Sequence, residues 1–100
     1  MTLLDQHRTE ILKACNTYKV KELHAFGSVL SERFSDQSDV DFTVDFGRDN
    51  FNGSFRQFVG FKEALETILE RTVDLVSIRS VRNPVFLQTL EKTRQRIYAA

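Results

Sequence analysis

The chain has 100 residues, which suits one compact domain, and we expect a single domain over residues 1–100. Fourteen basic residues balance fourteen acidic ones, and this zero net charge argues against a broad electrostatic grip on DNA or RNA. The single cysteine cannot form an internal disulfide, so we expect a reducing cytoplasmic location. The sequence contains no apolar run of membrane-spanning length, so we expect no membrane association. Charged residues occur too close to the N-terminus for the apolar segment of a signal peptide.

The apolar pattern predicts helices that alternate with short strands. One helix is predicted over residues 3–18, where Leu4, Ile11, Cys15 and Tyr18 share a face. A strand is predicted at 20–27, and the clearest strand, 39–46, alternates apolar residues with Asp39, Asp41, Thr43 and Asp45. Further along, the pattern predicts a helix at 55–71, a buried strand at 73–78 and a helix from an Asn83 N-cap to about Thr93. Residues 96–98 extend that helix or form an edge strand.

This order of elements indicates an α/β (α+β) fold in which helices flank a small mixed β-sheet. No linker divides the chain.

Two of the carboxylates in the clearest strand have a spacing that suits metal binding. Asp39 and Asp41 are two residues apart, so their side chains point to the same face and their Cα atoms lie about 6.8 Å apart. Mg²⁺ is commonly held by one or two carboxylates plus substrate phosphates. Asp74 interrupts a second apolar strand, where an unpartnered carboxylate is costly to bury, and a shared cation would supply a partner. Solvent exposure of the pair, and capping or pairing with an Arg for Asp74, remain alternatives of about equal weight on these residues alone.

A second candidate element is the pair Gly27-Ser28 at the end of the first strand. Phosphate binding requires exposed backbone amides, which glycine permits, and the serine hydroxyl adds a donor. When such a pair stands alone, an ordinary turn is the better explanation.

In combination, Gly27-Ser28, ten intervening residues and Asp39-Val40-Asp41 give a motif that resembles the GS-x10-D-x-D signature of the DNA polymerase β-like nucleotidyltransferase superfamily. Asp74 occupies the place of the third carboxylate in that family. Residues 83–86, Asn-Pro-Val-Phe, resemble the tail segment of its minimal members, the minimal nucleotidyltransferases of HEPN/MNT toxin–antitoxin modules. The resemblance covers residues 20–98.

The resemblance implies the polymerase β-like fold, with Asp39, Asp41 and Asp74 around two Mg²⁺ ions and Asp74 also helping to deprotonate the acceptor. Gly27 and Ser28 would bind the triphosphate of ATP or another nucleoside triphosphate. The implied reaction moves a nucleoside monophosphate to a hydroxyl, and for minimal members the acceptor is a tyrosine of a helical HEPN toxin. Two metals roughly 3.5–4 Å apart can stabilise both the attacking and the leaving oxygen without a nucleophilic side chain.

Departures from the pattern keep other functions open. Ser31 and Glu32 stand where many minimal members carry Arg and Gly, so Arg33 either reaches the phosphates or lies in solvent. A catalytically weak protein that neutralises a toxin by binding is one alternative. A transferase acting on RNA or a small molecule is another, although 100 residues leave little room for an acceptor domain. Self-association of the chain also remains open.

Several other polar or aromatic residues are not assigned to the site. Asp45 is predicted to be solvated, with a role on the acceptor side as the alternative. His24 is predicted to lie on a polar strand face rather than bind a ligand. Solvent is the default surrounding for Arg79 and Arg82, with a contact to phosphate or acceptor as the alternative. Phe51, in a polar loop, is a candidate contact with a base or a partner.

Overall fold

The computed structural model describes residues 2–27, 38–47 and 54–100. Along the chain the regular elements are helices α1 (Thr2–Gln6) and α2 (Arg8–Thr17), strands β1 (Glu22–Phe26) and β2 (Val40–Asp45), helix α3 (Ser54–Leu69), strand β3 (Val73–Ser77), a short 3₁₀ helix (Ile78–Ser80), helix α4 (Pro84–Thr93) and strand β4 (Gln95–Ala99). Within the described ranges, no helix is both long and apolar enough to cross a membrane. The candidate contact at Phe51 lies outside the described residues.

The four strands form one sheet in the order β3-β2-β1-β4. Strand β1 pairs antiparallel with both β2 and β4, whereas β2 and β3 run parallel and are joined through α3. The predicted mixed sheet with flanking helices is therefore confirmed. Residues 96–98 belong to the edge strand β4, which settles the alternative that the sequence left open.

The N-terminal segment is two helices and not the single helix predicted over residues 3–18. The chain leaves helical geometry at His7, with φ −110° and ψ 14°, between α1 and α2. The predicted apolar face nevertheless survives the break, because Leu4, Ile11 and Cys15 are all buried in the main core. The periodicity identified which side chains are buried but did not register the interruption.

The main core lies on one face of the sheet. Strand β2 contributes Val40, Phe42 and Val44, every second residue, and all three are fully buried. Helix α3 covers them with Phe61 and Leu65, which are also fully buried. Full burial of a side chain of this kind stabilises the fold by roughly 1.5–3 kcal/mol.

Helix α4 covers part of the opposite face. Its N-cap is Asn83, whose side-chain oxygen accepts hydrogen bonds from the amides of Val85 and Phe86 at 2.9 and 3.3 Å, as the Asn-Pro sequence predicts. The ring of Phe86 meets the ring of Phe26 edge-on at 6.3 Å, and Leu90 is buried. Because Phe26 pairs with Asp41, this helix lies over the face that carries the acidic side chains.

Candidate active site

Two of the predicted site carboxylates come from neighbouring parallel strands. Asp41 of β2 and Asp74 of β3 are direct partners in the strand register. Partners in adjacent strands point to the same face, and the strands lie about 4.8 Å apart. Asp39 lies one residue before β2 begins and is exposed. The fold thus gathers Asp41 and Asp74 at the edge of one sheet face, with Asp39 at the entrance to the strand.

Asp74 differs from expectation in its exposure. The sequence predicted a buried carboxylate, because its neighbours Val73 and Leu75 are apolar and both are buried. Asp74 itself is exposed, since β3 is an edge strand and this part of its outer face is open. Asp74 therefore does not carry the burial cost that its apolar neighbours led us to expect.

The Asp41 carboxyl is partly buried and lies near two other carboxyl groups. Burial raises the pKa of the Asp41 carboxyl above its ordinary value, and the charges of Asp74 and Asp39 raise it further. Like charges that close together disfavour ionisation unless a cation lies among them. The donor set is three carboxylates, which are the hard oxygen ligands that Mg²⁺ prefers.

These residues fit a divalent cation, but only with help from a substrate. In the described ranges, no three acidic, His or Cys side chains already converge into a group that could hold a metal ion. Mg²⁺ sites in phosphoryl-transfer enzymes commonly complete their coordination with substrate phosphates and water. Asp39 and Asp74 are exposed, so their side chains are free of the packing that would prevent them from turning toward such an ion.

Gly27 lies against the carboxylate of Asp41. Its backbone has φ +76°, and a Cβ added there would lie 2.5 Å from Asp41 Oδ2. Only glycine leaves room for the backbone and the carboxylate to come this close, and it adopts this conformation without strain. Gly27 therefore opens a space beside Asp41. Ser28, the two departures from the family pattern, Ser31 and Glu32, and the neighbouring Arg33 all lie outside the described residues.

Asp45 is not solvated as predicted. Its side chain is only 14% exposed and accepts a hydrogen bond from Arg79 Nε at 2.7 Å and another from the Gly47 amide at 2.7 Å. Burial pushes the pKa of Asp45 upward, but these two hydrogen bonds and the charges of Arg79 and Lys21 hold it below its ordinary value. Arg79 lies at the surface as expected, and its guanidinium binds this carboxylate.

The structure also places Arg82, His24 and Cys15. Arg82 donates to the backbone oxygen of Arg79 at 2.7 Å. His24 is buried beside Thr43, and burial, followed by the charge of Arg94, lowers its pKa, so it remains neutral at physiological pH. Cys15 is a core residue, and burial raises the pKa of its thiol to about 12, which makes the thiol unreactive.

Several hydrogen bonds near Asp39 and Asp74 were not predicted from the sequence. Arg71 Nη1 donates to the backbone oxygen of Ser38 at 3.1 Å, and the Val40 amide donates to the Thr72 oxygen at 3.0 Å. Glu66 Oε2 accepts a hydrogen bond from the Val73 amide at 3.0 Å. Arg71 and Ser38 are 33 residues apart, so no local pattern in the sequence indicates their contact.

The fold and the acidic site together define a class of enzyme that transfers nucleotides. The family model for polymerase β nucleotidyltransferases matches residues 9–100. The chain therefore belongs to the polymerase β nucleotidyltransferase family, and it is a nucleotidyltransferase.

Known proteins similar to this chain cover nearly all of its length. A Methanocaldococcus jannaschii protein named "putative protein adenylyltransferase" is 36% identical over 90 residues, which are 90% of this chain and 86% of the relative. A solved structure described as a "putative minimal nucleotidyltransferase" is 28% identical with a TM-score of 0.74, and 94% of each chain is covered. The MNT antitoxin fold is also seen in a complex with a tri-AMPylated Shewanella oneidensis HEPN toxin. That match has 21% identity and a TM-score of 0.68, and covers 96% of this chain and 72% of the other.

Proposed function

We propose that this protein is an antitoxin that transfers AMP from ATP to a hydroxyl of a partner protein, namely a tyrosine of a HEPN toxin. The observation that carries the proposal is the register pairing of Asp41 with Asp74 beside the open backbone of Gly27. The relative named as a protein adenylyltransferase and the AMPylated toxin in the MNT complex support both the nucleotide and the acceptor class.

In the proposed reaction the acceptor oxygen attacks the α-phosphorus of ATP, and the bond from that phosphorus to the β-phosphate oxygen breaks, releasing pyrophosphate. Asp39 and Asp41 would hold two Mg²⁺ ions together with Asp74, and these ions would neutralise charge on the triphosphate. The exposed Asp74 carboxylate would take the proton of the acceptor hydroxyl. Gly27 and Ser28 would bind the triphosphate beside Asp41.

The exposure of the site supports a protein acceptor. Asp39 and Asp74 lie at the surface, so a tyrosine on a docking partner can reach the carboxylates from solvent. Val85 is 71% exposed and Phe86 is 40% exposed at the start of α4, and Phe86 contacts Phe26, the register partner of Asp41. An apolar surface next to the site suits contact with a protein better than contact with a small polar acceptor.

The proposal is tested by incubating the protein with Mg²⁺, a purified HEPN toxin from the same genome and ATP labelled in the α-phosphate. The expected result is label on the toxin, no label when the γ-phosphate carries it, and loss of labelling in Asp39→Asn/Asp41→Asn. Glu63→Gln removes an exposed carboxylate from α3 and serves as the matched control, with labelling unchanged.

The same experiment distinguishes AMP transfer from neutralisation of the toxin by binding alone. If the double variant labels the toxin as well as wild type, the assignment of these carboxylates is wrong. If neither protein transfers label and both still block the toxin, the protein acts by binding alone. Label that appears on RNA or a small molecule and never on the toxin would replace the protein acceptor.

A further inference from the structure

We propose that Arg71 is a positioning residue that holds the Asp39 carboxylate in place for cation binding, an inference that rests on the proposed function. Arg71 follows the end of α3 and is half-buried. It does not belong to the motif that the sequence shares with the family, and no role for it follows from the predicted triad.

The backbone around Asp39 is held on both sides by the turn between α3 and β3. On the N-terminal side, Arg71 Nη1 donates to the Ser38 oxygen at 3.1 Å. On the C-terminal side, the amide of Val40 donates to the Thr72 oxygen at 3.0 Å. Asp39 lies between these two bonds, outside β2 and exposed, so strand pairing and core packing do not fix its position. The side chain of Arg71 therefore supplies one anchor of the backbone next to this residue.

The same turn also anchors the strand that carries Asp74. Glu66 Oε2 accepts a hydrogen bond from the amide of Val73, and Lys62 Nζ lies 3.6 Å from that carboxylate oxygen. Glu70, with φ +54°, reverses the chain between α3 and β3. The segment from Glu66 to Val73 thus contacts both the backbone beside Asp39 and the strand that carries Asp74.

The chemistry of the metal explains why such an anchor matters. Mg²⁺ requires nearly ideal octahedral geometry, with ligand distances of about 2.0–2.1 Å. A carboxylate whose position varies therefore contributes less to the affinity for Mg²⁺. Residues that orient metal ligands typically change metal affinity by about 10–100-fold when they are substituted. Arg71 can act in this way without touching cation, nucleotide or acceptor.

The test measures Mn²⁺ binding to the full chain by electron paramagnetic resonance, in the presence of a non-hydrolysable ATP analogue. We expect Arg71→Gln to weaken Mn²⁺ binding by about 10-fold, and Arg71→Lys, which keeps a donor and a charge, to recover part of that loss. Arg56→Gln removes an exposed guanidinium from α3 and should leave the affinity unchanged. As a control, thermal unfolding of each variant should be measured to check that it is folded at the assay temperature.

A double-mutant cycle shows whether Arg71 acts through Asp39. In the Asp39→Asn background, Arg71→Gln should cause little further loss of Mn²⁺ affinity. Equal losses in both backgrounds, or a variant that is less heat-stable yet binds Mn²⁺ like wild type, would overturn the inference. If wild type itself binds no Mn²⁺, the proposed function fails, and the positioning role fails with it.

Discussion

The backbone of Gly27 faces the carboxylate of Asp41 so closely that an added methyl group would lie 2.5 Å from Oδ2. Gly27→Ala must therefore displace either the turn or the carboxylate. It also places alanine at φ +76°, at a cost of about 1–2 kcal/mol. We expect the variant to lose transfer activity by at least about tenfold, which corresponds to roughly 1.4 kcal/mol in the barrier.

Gly47→Ala separates the steric effect from the backbone strain. Gly47 has nearly the same φ, +75°, but an added Cβ would meet the flexible Lys21 side chain at 3.1 Å. We expect a similar loss of thermal stability with transfer activity retained. Equal activity losses in the two glycine variants would show that close approach to Asp41 is unimportant.

Asp41 is expected to lower the thermal stability of the metal-free protein at pH 7 and to be required for AMP transfer. Its pKa is raised in the folded state, so its contribution to stability is present below the ordinary value of 3.8 and is lost as the pH rises through the raised value. Without metal, Asp41→Asn should therefore unfold at a higher temperature than wild type at pH 7, while transferring no AMP. The difference should shrink as the pH falls toward the ordinary value.

Thermal unfolding in EDTA across this pH range provides the measurement, with Glu63→Gln as a control of unchanged stability. Added Mg²⁺ and ATP should stabilise wild type more than Asp41→Asn, because ligands that bind the folded state raise its stability. An Asn variant that is less stable than wild type at pH 7 in EDTA would contradict the repulsion among the carboxylates.

The ion pair of Asp45 with Arg79 should behave in the opposite way with pH. The pKa of Asp45 is lowered, so its stabilising contribution is present above the ordinary value and disappears as the pH falls through the lowered one. A double-mutant cycle with Asp45→Asn and Arg79→Met should give a coupling free energy of about 1 kcal/mol at pH 7. Coupling that persists in strong acid would mean that the contact is not ionic.

The N-cap of α4 should contribute measurably to the free energy of unfolding. Asn83→Ala removes the oxygen that accepts from the Val85 and Phe86 amides and should cost about 1 kcal/mol in the free energy of unfolding. Asn83→Asp retains the acceptor and should remain close to wild type. Urea denaturation of the three proteins measures the difference, and a stable alanine variant would show that the cap is dispensable.

The sequence predicted the fold well where a periodic pattern and a specific capping residue coincide. The alternation in β2 identified its buried face, and the Asn83-Pro84 pair placed the start of α4 correctly. Both features are local, because a strand alternates with period two and a cap satisfies amides two and three residues away. The break at His7 was missed because the apolar periodicity continues through it.

The site was only partly predictable, because exposure and pairing depend on neighbours distant in sequence. In isolation Asp74 was ambiguous, and Asp45 was predicted to be solvated. The edge position of β3 exposes Asp74, and Arg79, 34 residues away, pairs with Asp45. The bond from Arg71 to Ser38 is likewise determined by tertiary packing and has no signature in the sequence.

The most direct measurement is a crystal structure of the protein with Mn²⁺ and a non-hydrolysable ATP analogue, using the anomalous signal of manganese. We expect manganese within coordination distance of Asp39, Asp41 and Asp74, with the triphosphate beside Gly27. Manganese and triphosphate bound elsewhere, with these three carboxylates in contact with neither, would contradict it.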